Sequence, residues 1–318
     1  MNSTTVDDLR SGGLDPAHVA RIVSAALAED LGPDGLDVTS LATVPGDQVS
    51  VADLVARADG VVAGLAVAAT VFAQVDPRTD AGAAVADGGR VTRGDVVATV
   101  SGPTRSLLTA ERTALNLLCR LSGVATRTRA FVAAVAGTGA RILDTRKTTP
   151  GLRALEKYAV RAGGGGNKRL GLYDVAMIKD NHILAAGGVA EAYARVRAAY
   201  PDLPVQVEVS NEAEAEAAVE AGATFLLCDN MTTGQLRRVV AAVGDRAELE
   251  ATGGITLHNA RDYAATGVDF LSVGELTHSA PVLDIAMDLR PDQPPGAAPA
   301  PRPTTRRAAP QPHTPGGG

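Results

Sequence analysis

The chain has 318 residues, 45% hydrophobic but only 3% aromatic and without Trp, so its core must be built from Ala, Val, Leu and Ile in one large domain or two unequal ones. A formal net charge of -6 excludes general attraction to nucleic acid or to an anionic membrane, which makes any local cluster of cations informative. No basic segment leading into an apolar run opens the chain, and no apolar stretch is long enough to span a bilayer.

The first fourteen residues are Ser-, Thr- and Asp-rich and are expected to be loose. Asp15–Leu31 reads as a helix, because Pro16 suits its first turn and Val19, Ile22, Val23, Ala26 and Leu27 recur at helical spacing. Val49–Ala58 and Arg90–Val100 read as strands, with turn signals at Gly88-Gly89 and Arg93-Gly94-Asp95. The Ala/Val run between them, interrupted at Gly64, reads as a core strand and helix. Leu107–Val135 is helical in pattern, with a break expected near Gly123. Residues 15–136 therefore read as a compact α+β domain.

From Arg141 short apolar runs alternate with amphipathic segments. Strands are predicted at Ile142–Leu143, Val175–Ile178, Val205–Val209, Phe225–Cys228, Ala247–Ala251 and Phe270–Val273. Helices are predicted at Arg153–Arg161, Val189–Ala199, Asn211–Ala221, Thr233–Val243 and Leu257–Thr266, with Pro281–Leu289 as the last helix. Such alternation argues for parallel strands joined by right-handed crossovers over residues 137–290. Six strands close a small or incomplete barrel or leave an open doubly wound sheet, and the pattern does not separate the two. Residues 291–318 are rich in Pro, Ala and Gly and read as a disordered tail. Cys119 and Cys228 match no zinc spacing and read as buried thiols of a cytoplasmic protein.

The polar residues are concentrated where strands end. Asp144-Thr145-Arg146-Lys147, Lys179-Asp180-Asn181-His182, Glu208, Asp229-Asn230, the run Glu250 to Gly254 and Gly274-Glu275 each follow or finish an apolar run. In α/β barrels these carboxyl ends converge on one face, where active sites sit. Arg146, Lys147, Lys168, Arg169 and Lys179 on one face imply a polyanionic ligand. The glycine run 163–166 before Asn167 would let backbone approach that ligand. Glu208 and Asp229, on successive strands, suit Mg²⁺ shared with ligand phosphates; pairing with a nearby cation and acid/base work are the other roles open to them. Thr252-Gly253-Gly254 and Val273-Gly274, each before a helical pattern, suit a phosphate. His182 is a further site candidate, and His278 is placed to orient the turn before the last helix.

These residues resemble a known family. The run from Asp144 to Arg153, the 163–166 glycines with Asn167 and Arg169, Ile178-Lys179-Asp180-Asn181-His182 and the run from Glu111 to Leu118 are similar to quinolinate phosphoribosyltransferases, over about Asp15 to Leu289. The resemblance implies an N-terminal α/β sandwich on an open-sided α/β barrel, a type II phosphoribosyltransferase architecture, in a homodimer. It implies transfer from phosphoribosyl pyrophosphate to quinolinate with Mg²⁺, giving nicotinate mononucleotide, pyrophosphate and CO₂. Arg112, Thr145, Arg146, Lys168, Arg169 and Lys179 would hold quinolinate, with Arg112 reaching the neighbouring subunit. Lys147, Thr252, Gly253, Gly254, Val273 and Gly274 would hold the donor. Lys147, Glu208 and Asp229 would be catalytic, with Glu208 and Asp229 also on the metal. Lys168 stands where the family usually has His, Thr252 where it has Ser, and Leu36 is a milder change; Lys168 is expected to preserve carboxylate binding. Two other readings are a same-fold enzyme acting on another heteroaromatic carboxylate, or a molybdenum-associated relative, and a non-catalytic anion-binding paralogue.

Overall fold

The structure, a computed structural model, describes residues 2–291. The expected tail therefore lies outside the described residues, except for Pro291. The chain begins with three helices, α1 (Ser3–Ser11), α2 (Pro16–Leu31) and α3 (Val38–Thr43). Next come β1 (Val49–Ala56), β2 (Gly60–Val61), α4 (Leu65–Val75), β3 (Asp80–Ala83), β4 (Arg90–Val91) and β5 (Val96–Pro103). A long helix, α5 (Thr104–Ala134), leads to β6 (Arg141–Leu143), α6 (Arg153–Ala162), β7 (Ala176–Ile178), α7 (Asp180–Ala186) and α8 (Val189–Ala199). The remainder is β8 (Val205–Val209), α9 (Glu212–Glu220), β9 (Phe225–Asp229), α10 (Thr233–Val243), β10 (Glu248–Thr252), α11 (Ala260–Ala264), β11 (Phe270–Ser272), α12 (Glu275–His278) and β12 (Ile285–Leu289).

The start of the chain is helical rather than loose. Asn2 caps α1 by accepting from Thr5 N at 2.8 Å. A nine-residue helix is marginal by itself, and burial of Leu9 at 1% exposure, with packing on α4 and α2, holds it. In α2 the Asp15 carboxylate accepts from Ala17 N and His18 N, Pro16 opens the first turn, and Val19, Val23 and Leu27 are buried at four-residue spacing.

β1, β3, β5 and β12 form an antiparallel sheet in the order β12-β1-β5-β3. The run 90–100 is two strands, because Arg93-Gly94-Asp95 is a turn inside it, with Gly94 at φ 97°. The predicted last helix is instead strand β12, whose Ile285 to Leu289 pair with Ala56 to Ala52. Ile285, Met287 and Leu289 alternate with Ala286 and Asp288, and β1 offers an otherwise open edge. Helix α5 runs unbroken through Gly123. That glycine serves packing: a Cβ there would overlap the carbonyl oxygen of Pro281 and lie 2.8 Å from Val282 Cα. At about 1.5 Å per residue, α5 is about 46 Å long, and it packs on β1, β5 and β12 at one side and on α6, β6 and α12 at the other.

β2 and β4 pair antiparallel as a separate ribbon, and the other six strands form a wholly parallel sheet in the order β6-β11-β10-β9-β8-β7. Sequence neighbours pair throughout, β11 returns to β6, and the closing seam between β6 and β7 is unpaired, which is the order of a barrel open on one side. This resolves the choice between barrel and open sheet. The 163–166 glycines partly fill that seam: Gly166 N donates to Ile142 O at 2.8 Å and Gly166 O accepts from Asp144 N at 3.1 Å. A Cβ on Gly163 would lie 2.6 Å from Ala125 O, and one on Gly166 2.8 Å from Leu143 Cδ2, so these glycines answer to packing of helix and strand rather than to a ligand.

Candidate active site

Side chains two apart on a strand share a face. At the carboxyl ends of the barrel this puts Met177 and Lys179, Leu227 and Asp229, with Glu208 and Thr252, around one cavity of about 220 Å³. Thr145, Arg146, Lys147, Lys168 and Arg169 complete its wall. The structure thus gathers nine of the residues singled out in the sequence. Larger cavities lie between α1, α4 and the antiparallel sheet (about 300 Å³) and between α2, α5 and 150–152 (about 540 Å³), but no cation lines either.

Buried charge fixes the two loops that carry the cations. Asp144, fully buried after β6, accepts from Lys157 Nζ at 2.5 Å, from Lys168 N at 2.8 Å and from Asn167 Nδ2 at 2.8 Å. Lys157, also fully buried, donates a second bond to Lys168 O at 3.0 Å. Burial pushes the Asp144 carboxyl up and the Lys157 ammonium down, and their mutual attraction opposes both shifts. The loop at 145–150 is tied at its far end by buried Glu156, which accepts from Thr149 N (3.0 Å), Thr149 Oγ1 (2.7 Å) and Arg120 Nη2 (2.7 Å). Thr277 Oγ1 donates to Lys147 O at 2.8 Å, joining this loop to α12, which follows β11.

The cations fall into two sets. Lys179 pairs with Glu208, and Lys168 Nζ lies 2.5 Å from Glu250 Oε1. Arg146 has no such partner: among the described residues its Nε is the buried side-chain donor left without a hydrogen bond. Arg169 donates to Val175 O at 3.2 Å, and burial followed by the charge of Arg146 pulls its guanidinium below the usual value. Lys147 is exposed, and its Cδ would lie 3.2 Å from a Cβ on Gly274, which brings the end of β11 to this side chain. Five cations at the mouth thus face Glu208 and Asp229, with Glu250 behind Lys168. An excess of positive charge in a confined pocket suits a dianion.

The carboxylates Glu208 and Asp229 are neighbours on β8 and β9 and line the same cavity. Asp229 accepts from Asn230 Nδ2 at 2.8 Å; Asn230 is left-handed at φ 53° and donates its N–H to Thr252 O at 3.0 Å. Gly253, at φ 93°, has no room for a side chain, since a Cβ would lie 2.7 Å from Asn230 Cγ. Among the described residues no group of three or more His, Cys, Asp or Glu could hold a metal unaided. Two carboxylates beside a cationic pocket nevertheless fit Mg²⁺, which is commonly held by one or two carboxylates together with substrate phosphates.

Several expected residues lie elsewhere. Arg112 is exposed on α5 and does not line the cavity. Val273 is 1% exposed and its N–H is taken by Leu143 O, so neither its side chain nor its amide faces a ligand. The helices after the glycine turns are short: α11 begins at Ala260, six residues beyond Gly254, and α12 has four residues. His182 accepts from Lys179 N at 3.0 Å and shapes the start of α7 rather than lining the pocket. His278 bonds Ser279 Oγ at 2.6 Å and precedes a strand, not a helix. Sequence reasoning gave no role to Lys157, Glu156, Gln206 or Ser272. Gln206 is legible afterwards, two residues before Glu208 and so on the same inward face.

Comparison with known proteins was consistent across the chain. Residues 37–122 match the family described as quinolinate phosphoribosyl transferase, N-terminal domain, and residues 124–288 match its C-terminal domain. A Mycobacterium leprae protein named carboxylating nicotinate-nucleotide pyrophosphorylase is 49% identical over 272 residues, which is 84% of this chain and 95% of that protein. A Bacillus subtilis protein named as a probable enzyme of the same kind is 42% identical over 86% of this chain and 93% of its own length. Among solved structures, NadC from Streptococcus pyogenes is 40% identical with a TM-score of 0.84, covering 87% of this chain and 98% of that one. The nicotinate-nucleotide pyrophosphorylase of Francisella tularensis gives the same TM-score and coverage at 35% identity.

Proposed function

This chain belongs to the quinolinate phosphoribosyltransferase family, and from that premise we propose a division of labour at the barrel mouth: the cations hold the acid, and the strand-end carboxylates serve the sugar donor. The reaction transfers the phosphoribosyl group of phosphoribosyl pyrophosphate to quinolinate with decarboxylation, in the synthesis of NAD. The observation that carries the assignment is Arg146, buried at its Nε without a partner and facing Arg169. A guanidinium whose buried Nε lacks a partner is stabilised by a planar, bidentate anion, and a pyridine dicarboxylate offers two.

Arg146, Arg169, Lys168 and Lys179 would fix the two carboxylates, with Thr145 beside them, and so place the ring nitrogen opposite C1 of the ribose. The ring nitrogen bonds to C1 as the C1–O bond breaks, and the electron pair of that bond leaves with pyrophosphate. Lys147 would neutralise the leaving group, with Gly274 at its side and Thr252-Gly253-Gly254 across the mouth. The ring nitrogen is then cationic. When the adjacent carboxylate departs as CO₂, the electron pair remains at a carbon beside that positive nitrogen and takes up a proton. Glu208 and Asp229 would hold Mg²⁺, which, when bound, supplies charge neutralisation for the donor's phosphates. For Glu208 this exchanges the Lys179 partner for the metal and frees Lys179 for the acid.

Exposure of Arg112 on α5, outside its own cavity, supports a homodimer in which this arginine completes the partner's site. Among the described residues no helix is long and apolar enough to cross a membrane. The free thiols of Cys119 and Cys228 support a reducing, cytoplasmic setting.

An assay with quinolinate, phosphoribosyl pyrophosphate and Mg²⁺, following CO₂ and nicotinate mononucleotide together, tests the reading. Equal formation of both is expected. Turnover of another heteroaromatic acid at a higher kcat/KM would displace quinolinate as substrate, and metal-independent turnover would remove the role given to Glu208 and Asp229. An equal mixture of Arg112→Ala and Arg146→Ala subunits should regain about a quarter of wild-type activity overall, since about half of the dimers are hybrids with one intact site of two; no restoration would count against a shared site.

A further inference from the structure

Beneath the pocket floor lies a cluster that the assignment above leaves without a purpose. Glu250, 0% exposed on β10, accepts from Lys168 Nζ at 2.5 Å and from Gln206 Nε2 at 2.6 Å, and also from Ser272 Oγ. Its three partners come from β8, from β11 and from the loop after the 163–166 glycines. The carboxylate is thus saturated inside the barrel, and Lys168 is the one partner that also lines the ligand cavity.

We propose that Glu250 is a positioning residue for the acid, holding the Lys168 ammonium at the inner wall of the pocket and keeping it cationic before substrate arrives. The proposal rests on the reading of Lys168 as one of the acid-binding cations. Burial, with Arg169 and Lys179 nearby, drives Lys168 toward its neutral form, and Glu250 opposes that drive. The other charged groups around it are Asp144, which takes its backbone N–H, and Lys157, which donates to its carbonyl. Arg146, Lys147, Glu208 and Asp229 share the cavity wall. Gln206 and Ser272 are neutral and cannot substitute for the charge of Glu250. Cys228, whose thiol burial pushes up to about 12 with a lesser contribution from Glu250, is neutral as well.

Glu250→Gln removes the charge and keeps the shape. Without the carboxylate, Lys168 must take up a proton as the acid binds, a demand that grows about tenfold per pH unit above its own pKa. Quinolinate KM should stay within about threefold of wild type at pH 6.5 and rise by about tenfold or more at pH 8.5, with the donor KM unchanged at both. Lys168→Met should raise quinolinate KM by about tenfold at both pH values, and adding Glu250→Gln to it should bring no further rise. A uniform loss across pH in Glu250→Gln, or a donor KM that moves with the quinolinate KM, would reduce Glu250 to a structural role and overturn the proposal. An unchanged quinolinate KM in Lys168→Met would overturn both the proposal and the role of Lys168, while wild-type turnover would still uphold the family reaction. Should Glu250→Gln fail to fold, Glu250→Asp, which draws the carboxylate back from Lys168 by one methylene, must show a weaker rise of about twofold to threefold at pH 8.5 and none at pH 6.5; a flat profile there overturns the proposal.

Discussion

The two sheets treat charge in opposite ways. Across the seam of the antiparallel sheet, charges are matched: Arg290 donates to both oxygens of Asp53 at 2.9 Å, and Arg57 lies 2.5 Å from Asp288. At the mouth of the parallel barrel, cations outnumber carboxylates and a buried guanidinium nitrogen has no partner. Matched charge serves the fold as it stands. Unmatched charge, held in place by a rigid frame, is stability given up until a ligand supplies the missing anion.

That contrast can be broken by substitution. The largest effect is expected in the frame beneath the mouth. Asp144→Ala leaves Lys157 charged and fully buried, and should lower stability by about 3–5 kcal/mol in a urea melt. Adding Lys157→Met should recover much of that loss. Arg146→Ala should do the reverse of Asp144→Ala, raising quinolinate KM by about a hundredfold while leaving the melting temperature of the free protein equal to or above wild type. If both variants lost stability alike, the distinction between frame and mouth would fail. Gly123→Ala tests the junction between the halves: its methyl group meets the backbone at Pro281 and Val282, and a loss of about 1–3 kcal/mol is expected by thermal melt. The smallest effect concerns the antiparallel seam. Hydrogen bonds from Arg290 are the main reason the Asp53 carboxyl is held below its usual range. A depressed folded pKa stabilises above the unfolded value near pH 4 and is lost as pH falls through the folded one. Asp53→Asn should therefore cost about 1 kcal/mol at neutral pH, after solvent screening, and flatten the acid limb of a stability profile.

Much of the barrel was legible, because each buried parallel strand writes a short apolar run ending in polar residues, and the runs at Val205, Phe225 and Phe270 needed nothing else. The cations were legible because their spacing placed them after those runs. What failed depended on contacts distant in sequence. Gly123 reads as a helix break until the carbonyl of Pro281 is found against it. Pro281–Leu289 reads as a helix until the open edge of β1 is known. The 163–166 glycines read as a ligand cradle until Ala125, Thr128 and Leu143 are seen to occupy the space around them. Glu250 was visible as a strand-end acid, but its coupling to Lys168 joins residues 82 positions apart and carries no local signature.

The return of β12 to the first sheet has a consequence for how the protein is made. During synthesis β1 leaves the ribosome early, and the segment that covers its outer edge is among the last described residues to follow. Throughout that interval the nascent chain carries a hydrophobic strand with one open row of hydrogen-bonding groups, the kind of edge that recruits other chains. Messages truncated before residue 285 would yield a barrel sequence attached to an unfinished sheet, so nonsense products of this gene should partition into aggregates rather than accumulate as a soluble catalytic half.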